Sequence, residues 1–160
     1  MIASPETRPA ITQTPAVEAW VRLLRGHAAA TRALNAELHR EHGLTINDYE
    51  ALLVLANAEG GSKRRIDLAH DLELTASGVT RLLDGLEAAG LVTRGTCPTD
   101  GRVAYAVVTD AGRAKLEQAS RSHLAAIEEL FESYSGEELA TLSEFLGRLP
   151  GASRISCPLG

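Results

Sequence analysis

Ile66-Asp67-Leu68-Ala69-His70-Asp71-Leu72 and Thr75-Ala76-Ser77-Gly78-Val79-Thr80-Arg81-Leu82-Leu83-Asp84-Gly85-Leu86-Glu87-Ala88-Ala89 read as two helical segments, parted only by Glu73 and Leu74. So short a connection turns the second helix sharply across the first, which is the signature of a helix-turn-helix. Leu68, Ala69, Leu72, Leu74, Val79, Leu82, Leu83 and Leu86 supply the mix of large and small apolar positions that crossing helices need, with Ala69 allowing close approach. In the second segment the apolar positions recur at i, i+3, i+4 and i+7. Ser77, Thr80, Arg81 and Asp84 are therefore left on the opposite, wet face.

Outward from this core the periodicity changes. After Gly90 it becomes two, with Leu91 to Cys97 and Arg102 to Val108 rich in Val, Thr and Tyr and joined by Pro98-Thr99-Asp100-Gly101. This pattern predicts a β-hairpin with Val103, Tyr105 and Val107 on one face and Gly101 in a left-handed turn position. Upstream, Thr14-Pro15 supplies a cap and a first-turn proline for a long helix past Leu23, Leu24, Leu34 and Leu38 to a Gly43 stop. Thr45-Ile46-Asn47-Asp48 resembles a capping box for a second helix, with Ile46, Tyr49, Leu53 and Ala56 on one face. Downstream, Thr109-Asp110 caps a helix with a stripe of Leu116, Ala119, His123, Ile127, Leu130 and Tyr134. Ser135 opens a last helix through Leu139, Leu142, Phe145, Leu146 and Leu149, closed by Pro150-Gly151.

Composition narrows the function classes. A chain of 160 residues with 44% hydrophobic and 23% charged residues excludes disorder, collagen and disulfide-rich scaffolds. No run approaches the roughly 18 apolar residues of a membrane span, and Met1-Ile2-Ala3-Ser4-Pro5-Glu6 lacks the features of a secretory signal. A cytoplasmic protein with no membrane partner is expected. The net charge of −5 is unevenly spread: residues 62–102 hold six basic and six acidic residues, so the whole deficit lies in the flanks. That asymmetry suits a central nucleic-acid face held by acidic supports. His27, His39, His42, His70 and His123 show no His-Glu-x-x-His spacing, and neither a phosphate-binding glycine loop nor a nucleophile motif is present. No enzyme activity, cofactor or metal is expected.

The order helix, helix, helix-turn-helix, two-stranded wing, two helices resembles the MarR family of bacterial winged helix-turn-helix regulators. The stretches that carry the resemblance are Leu74 to Glu87, Gly90-Leu91-Val92-Thr93-Arg94, and Asp100-Gly101-Arg102 running into Val108-Thr109-Asp110-Ala111-Gly112, within residues 15–149. It implies a mainly α fold with a two-stranded β wing. The expected organisation is a flexible N-terminal arm over 1–13, a helical dimerisation region over 14–44 and 110–149, a winged helix-turn-helix DNA-binding domain over 45–109, and a C-terminal tail over 150–160. It also implies a homodimer on a pseudo-palindromic operator in double-stranded DNA. Apolar stripes on the first and last helices with no remaining intrachain partner point the same way.

A helix whose first turn carries small polar residues can bring amides near phosphate and side chains to base edges in the major groove. Thr75, Ser77, Gly78, Thr80 and Arg81 fit that role, Gly78 by permitting close backbone approach and Arg81 by a bidentate contact to guanine. The competing possibility is that Ser77 and Thr80 are merely solvated and Arg81 pairs with Asp84 or Glu87. Arg94 is a candidate phosphate contact, and Lys63, Arg64 and Arg65 are another. Arg102 at the hairpin tip suits the minor groove. The resemblance adds that Asp100 orients it. Ala76 and Gly85 stand where many members carry basic residues, and Glu73 where glycine is common; in a left-handed conformation Glu73 costs on the order of 1 kcal/mol. The resemblance further implies a repressor released by a small-molecule effector between the helical base and the DNA lobes, with Trp20, His27 and Tyr49 as candidate walls. Two alternatives stay open: a redox-responsive regulator using Cys97 beside the wing, and a winged helix that binds protein instead of DNA.

Overall fold

The computed structural model describes residues 14–96 and 104–150. Thr14, Thr45, Thr75, Thr109 and Ser135 each sit in extended backbone and accept a hydrogen bond at the side-chain oxygen from the amide three residues ahead. This geometry satisfies an otherwise orphaned donor and starts a helix. The helices so opened are α1 (Pro15–His42), α2 (Ile46–Asn57), α4 (Ala76–Ala88), α5 (Asp110–Leu130) and α6 (Gly136–Gly147); the short α3 (Arg65–Asp71) begins on Arg64 without a side-chain cap. Thr45 with Asp48, and Ser135 with Glu138, form complete capping boxes. Gly43, at φ 68°, ends α1 in the left-handed conformation expected of a glycine stop.

The hairpin β2 (Val92–Thr96) and β3 (Ala104–Val108) is antiparallel, with Val92 opposite Val108 and Arg94 opposite Ala106. A third strand, β1 (Ser62–Arg64), pairs with the other edge of β3, giving the order β1-β3-β2. The two-stranded wing expected from sequence is thus part of a three-stranded sheet. Ser62-Lys63-Arg64 has no apolar alternation, and its pairing is supplied by β3 rather than by its own pattern. Tyr105 and Val107 share one face, which is only partly buried, while Ala106 and Val108 on the other face are buried; Val103 lies outside the described residues. α2 packs against β3.

Leu38, Leu52, Leu55, Leu68 and Leu83 are the largest fully buried side chains, drawn from α1, α2, α3 and α4. α2 is covered on more sides than one apolar stripe predicts: Tyr49, Ala51, Leu52 and Leu55 are buried, and Ile46, Leu53 and Ala56 only partly so. It contacts α1, α3, α4, α5 and the sheet, so nearly its whole circumference is interior. Between α3 and α4, Glu73 has φ 53°, the left-handed conformation, and Leu74 N–H donates to the Ala69 carbonyl at 2.9 Å. Leu72, partly buried, and Leu74 supply the packing that offsets this strain.

His123 of α5 is buried, with its ring 4.7 Å from that of Tyr49 between centroids. Its Nδ1 has no hydrogen-bond partner among the described residues. Burial holds its pKa below the ordinary imidazole value, partly opposed by the charge of Glu37. The unfolded chain therefore binds more protons than the folded one just below about pH 6.5, and stability rises with pH through that range. The expected result is a melting temperature that falls as pH drops from about 7.5 towards 5.5. His123→Gln should flatten the fall; an unchanged slope in the variant would remove His123 as its source.

Candidate nucleic-acid interface

α4 divides cleanly into an inner and an outer face. Val79, Leu83 and Leu86 are buried, while Ala76, Ser77, Thr80, Arg81, Asp84 and Gly85 are exposed. Arg81 makes no ion pair or hydrogen bond among the described residues. Its five donors are without an acceptor among the described residues. Ser77 lies on the same exposed turn, its hydroxyl 3.2 Å from that of Thr75.

Other predicted contacts have partners inside the protein. Thr75 is the N-cap: its Oγ1 accepts from Gly78 N–H at 3.1 Å, so its side chain organises the first turn. Thr80 donates its hydroxyl to the Ala76 carbonyl at 2.8 Å and keeps only its acceptor capacity for a ligand. Gly78 is small for an internal reason. A Cβ placed there would stand 3.2 Å from Thr75 Oγ1 and 3.6 Å from Leu74 Cβ, so the helix-turn-helix itself leaves little room for a side chain at this position.

Arg94, expected as a phosphate contact, is engaged within the chain. Its Nε donates to both oxygens of Glu87, at 2.9 and 2.7 Å, and its Nη2 donates to Asp84 Oδ1 at 2.9 Å. The hydrogen bond and charge of Glu87, followed by those of Asp84, raise the guanidinium pKa further. The pairing with Asp84 and Glu87 that sequence left open for Arg81 thus belongs to Arg94. The visible signal was two acids at i, i+3 on α4, but nothing local says which cation reaches them. Lys63 and Arg64 are likewise engaged, Lys63 with Asp71, and Arg64 with Asp67 through Nη2 at 2.9 Å. Arg64 keeps the Asp67 carboxyl below its usual range.

The candidate effector walls are split. Tyr49 is buried, with its hydroxyl 3.1 Å from Ser120 Oγ, whereas Trp20 and His27 are exposed on α1. Asp100, Arg102 and Cys97 lie outside the described residues, as do the arm and the tail beyond Pro150. No group of three or more His, Cys, Asp or Glu side chains among the described residues is arranged to hold a metal ion.

A sequence model described as the MarR family matches residues 42–103, a span that includes α4 and the segments on either side of it. The structure is similar to that of AbsC, a MarR family transcriptional regulator from Streptomyces coelicolor, with a TM-score of 0.76 and 31% identity over 88% of this chain and 93% of that one. The chain belongs to the MarR family. A second MarR family regulator from Streptomyces coelicolor, solved in complex with DNA, is similar with a TM-score of 0.77 and 26% identity over 83% of this chain and 88% of that one. The HTH-type transcriptional regulator MhqR of Bacillus subtilis (strain 168) is 28% identical over 81% of this chain and 88% of its own length. As a MarR family member the chain is a DNA-binding transcriptional regulator and not an enzyme. Among the described residues, no helix is long and apolar enough to cross a membrane.

Proposed function

We propose that the protein is a cytoplasmic, homodimeric repressor that reads a pseudo-palindromic operator with α4 and is released by a small-molecule effector. The observation that carries the operator reading is the outer face of α4. Arg81 is exposed with no partner among the described residues, while Asp84 and Glu87 on the same helix are both paired with Arg94. A free guanidinium on a helix of this kind is suited to a bidentate contact with guanine, and Ser77 and Thr80 beside it to phosphate or base edges. Asp100 and Arg102 extend the interface to the minor groove. Thr75 and Gly78 shape the turn that presents these groups.

Pairing of two copies places the two α4 helices in successive major grooves, roughly 34 Å apart. The exposed apolar residues of α5, α6 and the turn between them, including Leu130, Tyr134 and Phe145, supply the surface for it. For the effector, exposed Trp20 and His27 are the candidate contacts, with Tyr49, buried in the core, as the third candidate wall.

The test is selection of duplexes from a random pool by the purified protein, followed by anisotropy titration of the selected site. Arg81→Ala is expected to weaken binding by about 10- to 100-fold and to relax sequence preference at one position of each half-site. Full affinity in the variant removes Arg81 from the interface, and failure of the wild type to enrich any duplex at low salt removes the operator reading. Transcription in vitro from a promoter carrying the selected site should fall when the protein is added; a rise makes it an activator.

A further inference from the structure

We infer that Arg113 is a positioning residue for operator recognition: by gripping the C-terminal end of α2 from α5, it fixes where the DNA-binding lobe sits along the helical base, and so the separation of the two α4 helices in the pair. The inference rests on the proposed homodimer and its operator. α2 ends at Asn57 with no basic residue in its last turn, although the last carbonyls of a helix have no amide partner within it and form the negative end of its dipole. Arg113, in the first turn of α5, supplies what α2 lacks. Its Nη1 donates to the Ala56 carbonyl at 3.1 Å, bringing a hydrogen bond and a positive charge to that end from a distant part of the chain. Gly61, buried and at φ 67°, clears the path, because a Cβ there would collide with the same guanidinium.

A second polar contact joins the same two helices. Tyr49 Oη lies 3.1 Å from Ser120 Oγ, and since the Ser120 hydroxyl donates to the Leu116 carbonyl at 2.8 Å, Tyr49 is the donor. Tyr49 and Ala56 are about two turns apart on α2, as are Ser120 and Arg113 on α5, so the two contacts match an antiparallel pair of helices in one register. Apolar packing is non-directional and by itself allows one helix to slide along another, whereas hydrogen bonds close only at one distance and angle. α2 also touches α3, α4 and the sheet, while α5 runs on to the exposed apolar residues proposed for pairing. Register between α2 and α5 therefore becomes distance between the two half-site readers. Because Arg113 is exposed, its bond contributes little to overall stability, and its effect should be seen in the geometry of DNA binding.

The experiment measures the affinity of the full chain, Arg113→Ala and Arg113→Lys for duplexes that carry the selected half-sites at the selected spacing and at one or two base pairs more or fewer. The wild type is expected to lose at least about tenfold for each base pair of misspacing. Arg113→Ala should bind the best duplex about tenfold more weakly and discriminate among spacings by no more than about threefold, with its melting temperature lowered by only a few degrees. Arg113→Lys, which keeps a charged donor for the Ala56 carbonyl, should keep the wild-type spacing profile. Equal weakening at every spacing in Arg113→Ala would mean that Arg113 touches phosphate or only supports the fold, and overturns the inference. Wild-type affinity in that variant, or a flat profile in Arg113→Lys, overturns it equally. A readout without DNA separates this from failure of the operator reading. Amide hydrogen exchange at Ala58 and Gly61, just beyond the gripped carbonyl, should speed up in Arg113→Ala but not in Arg113→Lys, and unchanged exchange rules out the grip whether or not the wild type selects a duplex. Faster exchange with a wild type that selects no duplex removes the operator, and the inference with it.

Discussion

Substitution of both Leu142 and Leu146 by aspartate is expected to convert the protein to a monomer and to lower operator affinity by at least about 100-fold. None of the residues of α6 is buried in the single chain, and Leu142, Phe145 and Leu146 are 36%, 56% and 37% exposed. A helix of 12 residues has little stability alone in water, even when opened by a capping box, unless its apolar face is covered. Leu130 at the end of α5, Tyr134 in the turn before α6 and Leu149 just beyond α6 are further exposed apolar residues. Burying one large aliphatic side chain contributes about 1.5–3 kcal/mol, so four aspartates across a symmetric pair remove more than a standard interface tolerates. Sedimentation equilibrium reads the mass, and anisotropy the affinity. The internal core around Leu52, Leu55 and Leu83 does not involve α6, so the monomer should keep its helical signal. A variant that remains dimeric at micromolar concentration would show that the copies pair through another surface.

Gly112→Ala should destabilise the fold by about 3 kcal/mol, lowering the melting temperature by on the order of 10 °C. A Cβ there would lie 2.1 Å from the Leu91 carbonyl oxygen and 2.9 Å from Val108 Cγ2. The obstacle is backbone that cannot retreat. The Leu91 carbonyl accepts from Thr109 N–H at 3.1 Å, Leu91 N–H donates to the Leu86 carbonyl at 2.9 Å, and the Thr109 hydroxyl donates to the Gly90 carbonyl at 2.8 Å. Gly112 is thus the place where the start of α5 lies directly on the link between α4 and β2. Gly85→Ala provides the contrast. Nothing lies within 4 Å of a Cβ at that exposed helical position, so there the higher helix propensity of alanine should stabilise by up to about 1 kcal/mol. Thermal melts of the two variants should therefore move in opposite directions, and a shift of the same sign in both would contradict the packing described at Gly112.

The resemblance visible in Leu74 to Glu87 and the stretches after it led to the family that the comparisons support. The interface was less legible. Of the residues predicted to face DNA, Arg81 is exposed with no partner among the described residues and Ser77 is exposed with its hydroxyl beside that of Thr75, whereas Thr75 also serves as a cap, Gly78 also gives internal clearance, and Arg94 also pairs with two carboxylates. Each of these roles is consistent with the same residue type, which is why composition and spacing could not separate them. The strand β1 escaped notice for a related reason: three polar residues have no periodicity of their own, and their partner lies more than forty positions away, with Lys63 opposite Ala106.

The amino-acid order determined on its own where the helices begin and turn back, because a capping hydroxyl such as Thr45 or Ser135 reaches an amide only three residues ahead, and a stop such as Gly43 depends on its own backbone angle. Those interactions close within a single turn, so they are the same in any context. What tertiary structure decided was the allocation of charge and the depth of burial. Arg94 meets Glu87 and Asp84 only after β2 has folded back along α4, and α2 becomes interior on nearly all sides only once α5 and the sheet close over it. Coulomb attraction and water exclusion act through space, over separations that chain order leaves open until the fold brings the groups together.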